Sequence, residues 1–186
     1  VASPTVVVAA GPMPAFPPVI YEHGLTAIVA SGRRNERAAT AGLKTIGYTD
    51  SVAALIEARR RGAGEAILLD TEGHCSEATA SNLFVWTGGV LVTPPVSCGA
   101  LPGITRASIL ELAGVLGIPC AERPVGLDDL RRAQEAFLTS SLRAVVPLVS
   151  LDGDPIGSGE PGACTRRLAA AYADLVAREC AAAVRT

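Results

Sequence analysis

The amino-acid sequence predicts an α+β fold: one sheet rich in antiparallel hairpins, with a few helices packed against it. Short apolar runs separated by turn residues predict more strands than helices. The helical segments do not alternate regularly with the strands, which argues against a doubly wound parallel sheet. Hydrophobic residues make up 49% of the 186 residues, enough to bury a sizeable single core.

Three strands and one helix are predicted in the N-terminal part of the chain. Residues 5–10 (TVVVAA), 25–31 (LTAIVAS) and 65–70 (EAILLD) are short apolar runs typical of strands. The polar segment 33–42 is predicted to be a loop. A helix is predicted over 49–62, between that loop and the third strand.

The helix predicted over 49–62 carries signals at both ends. Thr49 or Asp50 can cap its N-terminus, and Gly62 can end it in the left-handed conformation. The apolar residues that we expect to face the core lie on one side of the helix: Val52, Leu55 and Ile56.

The C-terminal part is predicted to mix hairpins with helices. Gly88 and Gly89 between two apolar runs predict a tight hairpin over 82–93. Thr105 is placed to cap a second helix over 103–117. The remaining predicted elements are a strand over 119–125, a short helix over 126–133, strands over 135–141 and 144–153, and a closing helix over 162–180.

Composition and charge argue against several functions. A net charge of −2 without a long basic run argues against a nucleic-acid-binding surface. No stretch reaches the length of a transmembrane helix, so we expect no membrane partner. The five cysteines are odd in number and have neither zinc-site nor disulfide spacing. We therefore predict reduced thiols, no metal site and a cytoplasmic protein.

Lys44 stands out because it is the only lysine among sixteen basic residues. The simplest interpretation is a surface lysine at a strand end. Arginine already serves the other fifteen positions, however, and pairs with carboxylates better. A lysine can lose its proton and form a Schiff base, which arginine cannot, and the apolar neighbours in LKTIGY would favour the uncharged amine.

Glu77 precedes a run of small residues (78–81) and then an apolar strand. As a solvent-facing carboxylate near a turn it would need no special role. A carboxylate held against a cofactor ring would instead keep a pyridine nitrogen protonated, which makes the ring an electron sink. The small residues that follow would let the backbone approach such a flat ring closely.

Two further segments carry groups suited to an anion. Gly103 precedes a helix whose first turn contains Ile104 and Thr105, and free N–H groups at a helix start bind phosphate. An ordinary N-cap explains that motif equally well on its own. The segment LTSSLR (138–143) ends a strand with three hydroxyls and Arg143, which could serve a phosphate or a substrate carboxylate.

In combination, these features resemble the class IV aminotransferase family, the fold-type IV pyridoxal-phosphate enzymes. The resemblance runs from roughly residue 19 to 175. Its best stretches are LKTIGY, GAGEAILLDTEGHCSEATASNLFVWTGGVLVTPP, GALPGITR and EAFLTSSLRAVVPLVSLDG. It implies pyridoxal 5′-phosphate as the cofactor and the large C-terminal domain of that fold, with most of the small N-terminal domain absent from this chain.

The resemblance implies a role for each matching residue. Lys44 would bind the cofactor covalently and move the proton at the substrate α-carbon, and Glu77 would pair with the pyridine nitrogen. The other implied cofactor contacts are Tyr48, Ala80, Ser81 and Leu101 around the ring, and Gly103, Ile104, Thr105 and Ser141 around the phosphate. We assign Arg143 to the substrate.

The resemblance also implies a domain organisation and an assembly. Residues 1–43 are interpreted as the end of a small N-terminal domain and its connection, and residues 44–186 as the pyridoxal-phosphate-binding domain. Members commonly form homodimers with the active site near the interface, so we expect a homodimer. The implied partner is a small-molecule amino substrate.

Two reactions remain open within this family. Its transaminases often carry an acidic residue after the hydroxyl cluster, where this chain has SSLRAVVP. That stretch resembles the 4-amino-4-deoxychorismate lyase branch, so elimination to pyruvate and 4-aminobenzoate is our leading interpretation. Branched-chain or D-amino acid transamination is the alternative.

Two interpretations of other classes also remain. A chain without its N-terminal domain could be a non-catalytic remnant that serves as a binding module, although a remnant would have no physical need for the intact lysine and glutamate. Thiol chemistry at Cys75 or Cys98 has weaker support, because neither His23 nor His74 lies in an evident base arrangement.

Overall fold

The computed structural model of the chain describes residues 5–183, so the ends of the two predicted domains lie outside the described residues. Its helices are α1 (Val19–Glu22), α2 (Thr49–Arg60), α3 (Ile104–Val115), α4 (Leu127–Arg131) and α5 (Ala163–Ala183), and a 3₁₀ turn covers Val96–Cys98. Its strands are β1 (Leu25–Arg33), β2 (Glu65–Leu69), β3 (His74–Ala78), β4 (Asn82–Thr87), β5 (Val90–Thr93), β6 (Cys120–Glu122), β7 (Val125–Gly126), β8 (Glu135–Ser140), β9 (Ala144–Leu151) and β10 (Asp154–Pro155).

All ten described strands belong to one mixed sheet. Their order is β6-β5-β4-β8-β9-β1-β2-β3-β7, with β10 paired to β9. β1 is parallel to β2 and β9, and β5 is parallel to β6, while the hairpins β4–β5 and β8–β9 are antiparallel. The helix α2 provides the crossover that a parallel β1–β2 pair requires. This mixture of hairpins and crossovers confirms the α+β prediction.

The two faces of the sheet form separate parts of the core. On one face, residues from both halves of the sheet, such as Ile67, Leu83 and Leu148, pack into a single buried cluster. On the other face, α2 covers β1 and β2. The helices α3 and α5 cover Phe84 and Phe137, whose stacked rings have centroids 4.9 Å apart. Burial on both faces explains why β2 is apolar after its first residue rather than alternating.

The hairpin predicted at Gly88 and Gly89 is present between β4 and β5. Both glycines have positive φ angles, 57° and 78°, as a two-residue turn between right-twisted strands requires. Space is open around a Cβ built at either position, so the backbone conformation alone favours glycine here.

The predicted strand at residues 5–10 is wrong. The structure has no regular element between residues 5 and 17, and Val6, Val7 and Val8 are exposed. An apolar run becomes a strand only when a partner strand accepts its backbone hydrogen bonds. Within the described residues, no strand of the sheet pairs with this segment.

The predicted inward face of α2 is also wrong. Val52 and Ile56 are 51% and 44% exposed, and Leu55 is only half-buried. The buried residues are small: Ser51, Ala54 and Ala58. Small side chains let the helix axis approach the sheet closely, and this decides which face is buried more than residue hydrophobicity does.

Helix caps differ from the predictions at both central helices. The residue before α2 is Tyr48, and neither Thr49 nor Asp50 acts as its N-cap. Gly103 precedes α3, so Thr105 lies inside the first turn rather than at the cap. Neither helix has a side-chain cap hydrogen bond. The N-terminal N–H groups of α3 therefore remain available to another acceptor.

Two elements differ from the predictions in smaller ways. β3 was not predicted, because its sequence HCSEA is polar; pairing with β2 and β7 makes it a strand. The strand predicted over 119–125 is interrupted at Arg123 and Pro124, and proline cannot donate to a ladder.

No helix in the described part of the chain combines the length and the apolar character needed to cross a membrane.

Two glycine-to-alanine substitutions should change stability in opposite directions. Gly88→Ala should lower the free energy of unfolding by about 1 kcal/mol, because alanine is strained in the left-handed region. Gly114→Ala, in the exposed and open end of α3, should raise it by about 0.5–1 kcal/mol. Urea unfolding followed by circular dichroism measures both, and a change of the same sign in both variants would contradict this account of the hairpin.

Candidate active site

One cavity of about 600 Å³ lies where the ends of several sheet strands meet the start of α3. Its wall comes from the β1–α2 loop, the β3–β4 turn, the start of α3 and the β8–β9 turn. All eleven residues assigned from the sequence line it: Lys44, Tyr48, Glu77, Ala80, Ser81, Leu101, Gly103, Ile104, Thr105, Ser141 and Arg143. The fold therefore brings together segments that are about a hundred residues apart in sequence, while their individual roles stay predictions.

Lys44 lies on the long loop (residues 34–48) that joins β1 to α2. Its side chain is exposed at the cavity, and its Nζ is 5.5 Å from the centroid of the Tyr48 ring. A ring face at this distance attracts the ammonium form and restricts where the amine can point. The amine is thus directed along the cavity wall without being buried in an ion pair.

Glu77 lies at the base of the cavity, on β3, and is only 4% exposed. The backbone N–H of Leu101 donates to its Oε2 over 2.8 Å, and the Asn82 amide lies 3.4 Å from the same oxygen. The guanidinium of Arg34 pairs with the other oxygen, Oε1. A buried carboxylate with donors on both oxygens is held in one orientation.

Burial and the neighbouring donors and cations act in opposite directions on the pKa of the Glu77 carboxyl. Burial raises the pKa of its carboxyl above the usual value, because the charged form loses its hydration. The Leu101 N–H, the Arg34 guanidinium and the Lys44 ammonium act in the opposite direction without cancelling the effect of burial. A further cation placed against Glu77 would therefore be attracted strongly and would favour the ionised carboxylate.

Gly103 allows the turn before α3 to press against β4. A side-chain carbon built there would collide with the Asn82 amide, so close approach requires glycine. The Asn82 amide also donates to the Leu101 carbonyl over 2.8 Å. Asn82 thus ties the Leu101 turn to β4 and holds its N–H over Glu77.

The start of α3 offers unengaged donors to the cavity. Its first backbone bond is the one that Ala107 N–H donates to the Gly103 carbonyl, so the N–H groups of Ile104 and Thr105 precede the helical ladder. The positive end of the helix dipole adds to their attraction for an anion. The Thr105 hydroxyl lies 3.2 Å from the Tyr172 hydroxyl of α5, which fixes its direction.

Hydroxyl groups at the end of β8 and in the turn to β9 also line the cavity. Thr139 is 1% exposed, and its Oγ1 has no hydrogen-bond partner within residues 5–183. Ser140 Oγ accepts the Arg143 N–H over 3.1 Å, while Ser141 lies exposed at the tip. Ala144 completes the turn with a φ of 55°, a left-handed conformation that costs roughly 1 kcal/mol. A buried hydroxyl without a partner at a cavity wall is a group that a ligand could satisfy.

Arg143 is anchored at the cavity by a second buried acid. Its Nη1 lies 3.2 Å from Oε2 of Glu65, which is fully buried at the start of β2. The other oxygen of Glu65 accepts the Thr79 hydroxyl and the Ala66 N–H. The Phe16 ring lies 5.4 Å from the guanidinium carbon. The Arg143 guanidinium therefore already has two partners, and its assignment to the substrate stays a prediction.

Sequence analysis missed several residues that build this site. Arg34, Glu65 and Asn82 were not assigned, although Arg34 and Asn82 contact Glu77 directly and Glu65 anchors Arg143. A signal existed for Glu65, because a single charge at the head of a wholly apolar strand must have a buried partner. Arg34 and Asn82 carried no comparable signal, since polar residues at strand ends are usually solvated.

The groups that line the cavity suit a ligand with a carbonyl group and a phosphate. They include an amine that can add to a carbonyl group, a buried carboxylate aimed into the cavity, and a helix N-terminus with nearby hydroxyls that suits a phosphate. These three groups lie on different segments of the chain, so no single motif specifies the site.

Comparison with known proteins identifies related chains. A family model described as amino-transferase class IV matches residues 2–151. The putative branched-chain-amino-acid aminotransferase of Methanocaldococcus jannaschii is 38% identical over 173 residues, which cover 92% of this chain and 59% of that protein. The branched-chain-amino-acid aminotransferase of Escherichia coli K12 is 38% identical over 160 residues, covering 85% and 52%.

Solved structures share the fold. The branched-chain aminotransferase of Thermobaculum terrenum, in its PLP-form, matches with a TM-score of 0.82 and 34% identity, over 88% of this chain and 54% of that one. The enzyme of Thermoproteus uzoniensis, solved with norvaline, matches with a TM-score of 0.79 and 35% identity, over 84% and 52%. The chain thus spans about half the length of the relatives it matches.

Sequence and fold both relate the chain to one family. The family model matches most of the sequence, and the fold is shared with solved members in which more than a third of the aligned residues are identical. The chain therefore belongs to the class IV aminotransferase family.

Proposed function

We propose that the chain binds pyridoxal 5′-phosphate and transfers amino groups between amino acids with aliphatic side chains and keto acids. The observation that carries this proposal is the convergence on one cavity of the only lysine, a buried glutamate and an uncapped helix N-terminus. The names of the related proteins support the choice of reaction.

The residues present fit the proposed cofactor. Its phosphate suits the N–H groups of Ile104 and Thr105, together with the Ser141 hydroxyl and the unpartnered hydroxyl of Thr139. Its pyridine nitrogen suits Glu77, the buried carboxylate at the base. One part of the cavity thus favours an anion and another favours a cation, which matches the phosphate and the protonated pyridine nitrogen of this cofactor.

When bound, pyridoxal phosphate supplies an electron-poor ring that stabilises negative charge at the substrate α-carbon. Lys44 supplies the amine that holds the cofactor and, once released, removes and returns the proton at that carbon. Because the 34–48 loop carries Lys44 at the cavity rim, the amine can move between these tasks. Tyr48 restricts its path through the ring contact at 5.5 Å.

Glu77, when ionised, would hold a proton on the pyridine nitrogen of the bound cofactor. The Leu101 N–H and the Asn82 amide keep the carboxylate in place, and Arg34 balances its charge from the far side. The side chain of Leu101 and the small residues Ala80 and Ser81 leave room for a flat ring. Exclusion of water from this part of the cavity strengthens the attraction between carboxylate and pyridinium.

Transamination is favoured over the elimination that the sequence suggested first. The lyase interpretation depended on SSLRAVVP alone, which has Arg143 and no acidic residue after the hydroxyl cluster. The relatives compared above are named branched-chain aminotransferases. The domain division at residues 43 and 44, the homodimer and the cytoplasmic location belong to the same proposal and need their own measurements.

A covalent-capture experiment tests the role of Lys44. The purified chain mixed with pyridoxal phosphate should turn yellow and, after borohydride, should carry the reduced cofactor on the peptide that contains Lys44. Since the chain has no other lysine, intact mass should show one adduct, and the peptide mass distinguishes Lys44 from the N-terminal amine. Lys44→Ala should remain colourless and unmodified.

The double variant Lys44→Ala/Arg59→Lys is the matched control. It restores one lysine to the chain at an exposed position on α2 outside the cavity wall. It should capture little cofactor at stoichiometric concentration. Capture equal to that of the wild type would mean that any exposed amine reacts, and the assigned site would be wrong.

Glu77→Gln should affect stability and activity in opposite directions. A raised pKa means that the folded chain binds this proton more tightly than the unfolded chain does, so the stabilisation is full below the ordinary glutamate value and is lost as pH rises through the folded value. The ligand-free variant should therefore melt higher than wild type near about pH 8, with the difference closing toward about pH 4. Amino transfer should fall by about a hundredfold or more, since the ring loses its charged partner.

The control for this prediction is Glu111→Gln, an exposed glutamate on α3. Its melting difference from wild type should stay small and nearly independent of pH. If Glu77→Gln instead melts lower than wild type at every pH, then the carboxylate stabilises the ligand-free fold and the account of its burial is wrong.

Substrate choice is tested in a single turnover. The cofactor-loaded chain mixed with leucine, isoleucine or valine should release the corresponding keto acid. Mixed with 4-amino-4-deoxychorismate, it should release no pyruvate. Pyruvate release without keto-acid formation would restore the lyase interpretation. Normal cofactor capture without either reaction would favour a binding module over an enzyme.

A further inference from the structure

Outside the active-site cavity, three side chains with metal-binding atoms meet at the end of the sheet next to β3. Asp70 follows β2, His74 begins β3, and Cys98 ends the 3₁₀ turn before the Leu101 segment. One donor atom of each residue lies within 4.8 Å of the other two. We call these three residues the 70/74/98 cluster.

Asp70 is the most constrained member of the cluster. It is 3% exposed, and its Oδ1 accepts the backbone N–H groups of Glu72 and His74 over 3.0 and 2.8 Å. Its Oδ2 faces the His74 Nδ1 at 3.3 Å. Within residues 5–183, no arginine or lysine forms an ion pair with it. A buried carboxylate of this kind is ordinarily paired with a cation or bound to a metal.

The three donors match the preferences of one class of ion. An imidazole nitrogen, a thiolate sulfur and a carboxylate oxygen are the ligands of Zn²⁺ and similar divalent transition metals, whereas Ca²⁺ and Mg²⁺ prefer oxygen alone. Two atoms bound about 2.0 Å from a tetrahedral zinc lie about 3.3 Å apart. The separation between Asp70 Oδ2 and His74 Nδ1 equals that value.

We propose that the 70/74/98 cluster binds a divalent transition metal of the zinc class, with a water molecule as the fourth ligand. His74 is partly exposed and gives the metal a route from solvent. On binding, the S–H bond of Cys98 breaks, the proton passes to solvent and a metal–sulfur bond forms, with no electron transfer. The resulting set of one dication, one thiolate and one carboxylate is neutral, which suits its buried position.

The surrounding charge supports this assignment. Burial raises the pKa of the Cys98 thiol to about 11, and a hydrogen bond to Asp70 and the negative charges of Asp70, Glu36 and Glu72 act in the same direction. A negative field that disfavours a free thiolate favours a dication at the same place. The same field argues against the main alternative, a nucleophilic cysteine activated by a His–Asp pair, because such a cysteine needs a lowered pKa.

A metal here would connect three segments that shape the active site. The Asp70–His74 turn leads into β3 and Glu77, and Cys98 precedes the turn whose Leu101 N–H binds Glu77. The 34–48 loop is also held next to the Asp70–His74 turn, since Glu36 accepts two hydrogen bonds from Thr71. We infer a bracing role, in which the metal fixes the backbone on both sides of Glu77.

The spacing of these residues in the sequence did not reveal the cluster. Asp70 and His74 are four residues apart, but Cys98 is separated from them by a whole hairpin. The prediction of no metal site rested on cysteine spacing alone, and the proposal replaces it. The proposal is independent of the cofactor and of amino transfer.

Cobalt substitution tests the site directly. The full chain, stripped with a chelator and titrated with Co²⁺, should bind one equivalent and show a near-ultraviolet thiolate-to-cobalt band with tetrahedral visible bands. Cys98→Ser should lose the thiolate band, while Cys120→Ser, at an exposed cysteine outside the cluster, should keep it. Competition with Zn²⁺ should displace the cobalt spectrum in the wild type.

His74→Gln gives a second readout that does not depend on the buried cysteine. Its affinity for cobalt should fall by at least about a hundredfold, since loss of a direct ligand costs no less than loss of a supporting contact. The proposal is overturned if the folded wild type shows no thiolate band at stoichiometric cobalt. It is equally overturned if Cys98→Ser keeps the band, or if His74→Gln binds with unchanged affinity.

Discussion

The architecture around the cavity depends on the burial of one carboxylate. Glu77 lies inside the protein, where its charge is costly unless donors and cations surround it. The Leu101 turn, the Asn82 amide and the Arg34 guanidinium meet this requirement from three different segments. Burial still keeps the pKa of the Glu77 carboxyl above its usual value, so a cation bound beside it would favour the ionised form. A pyridinium ring is such a cation, and its binding would offset the free-energy cost of burying the Glu77 carboxylate.

The mixed sheet makes this convergence possible. Parallel pairing of β1 with β2 sends the 34–48 loop over the same edge at which β3 and β4 turn, and the β8–β9 hairpin ends beside them. The small buried face of α2 keeps that helix close to the sheet. Glycine before α3 lets the helix start touch β4. Close packing therefore positions an amine, a carboxylate and an anion-binding helix end around one space.

Buried acids recur along the β2–β3 hairpin. Glu65 begins β2, Asp70 follows it and Glu77 lies on β3, and each is nearly inaccessible to solvent. Each has a different partner: Arg143 for the first, His74 and the proposed metal for the second, and Arg34 with the proposed cofactor for the third. This hairpin thus carries the electrostatic framework of the site, and its stability is linked to what the three acids bind.

The sequence by itself determined the α+β class, the Gly88-Gly89 hairpin and most helices, because these depend on local conformation. It also singled out Lys44 as the only lysine, and the family resemblance named eleven residues that line the cavity. Tertiary structure alone decided the rest. Within the described part of the chain the apolar run at 5–10 has no strand partner, whereas polar β3 became a strand by pairing on both sides. The contact of Arg34 with Glu77, the partner of Glu65 and the meeting of Cys98 with His74 could not be predicted from the sequence, because the partner of a buried charge is set by where distant segments pack.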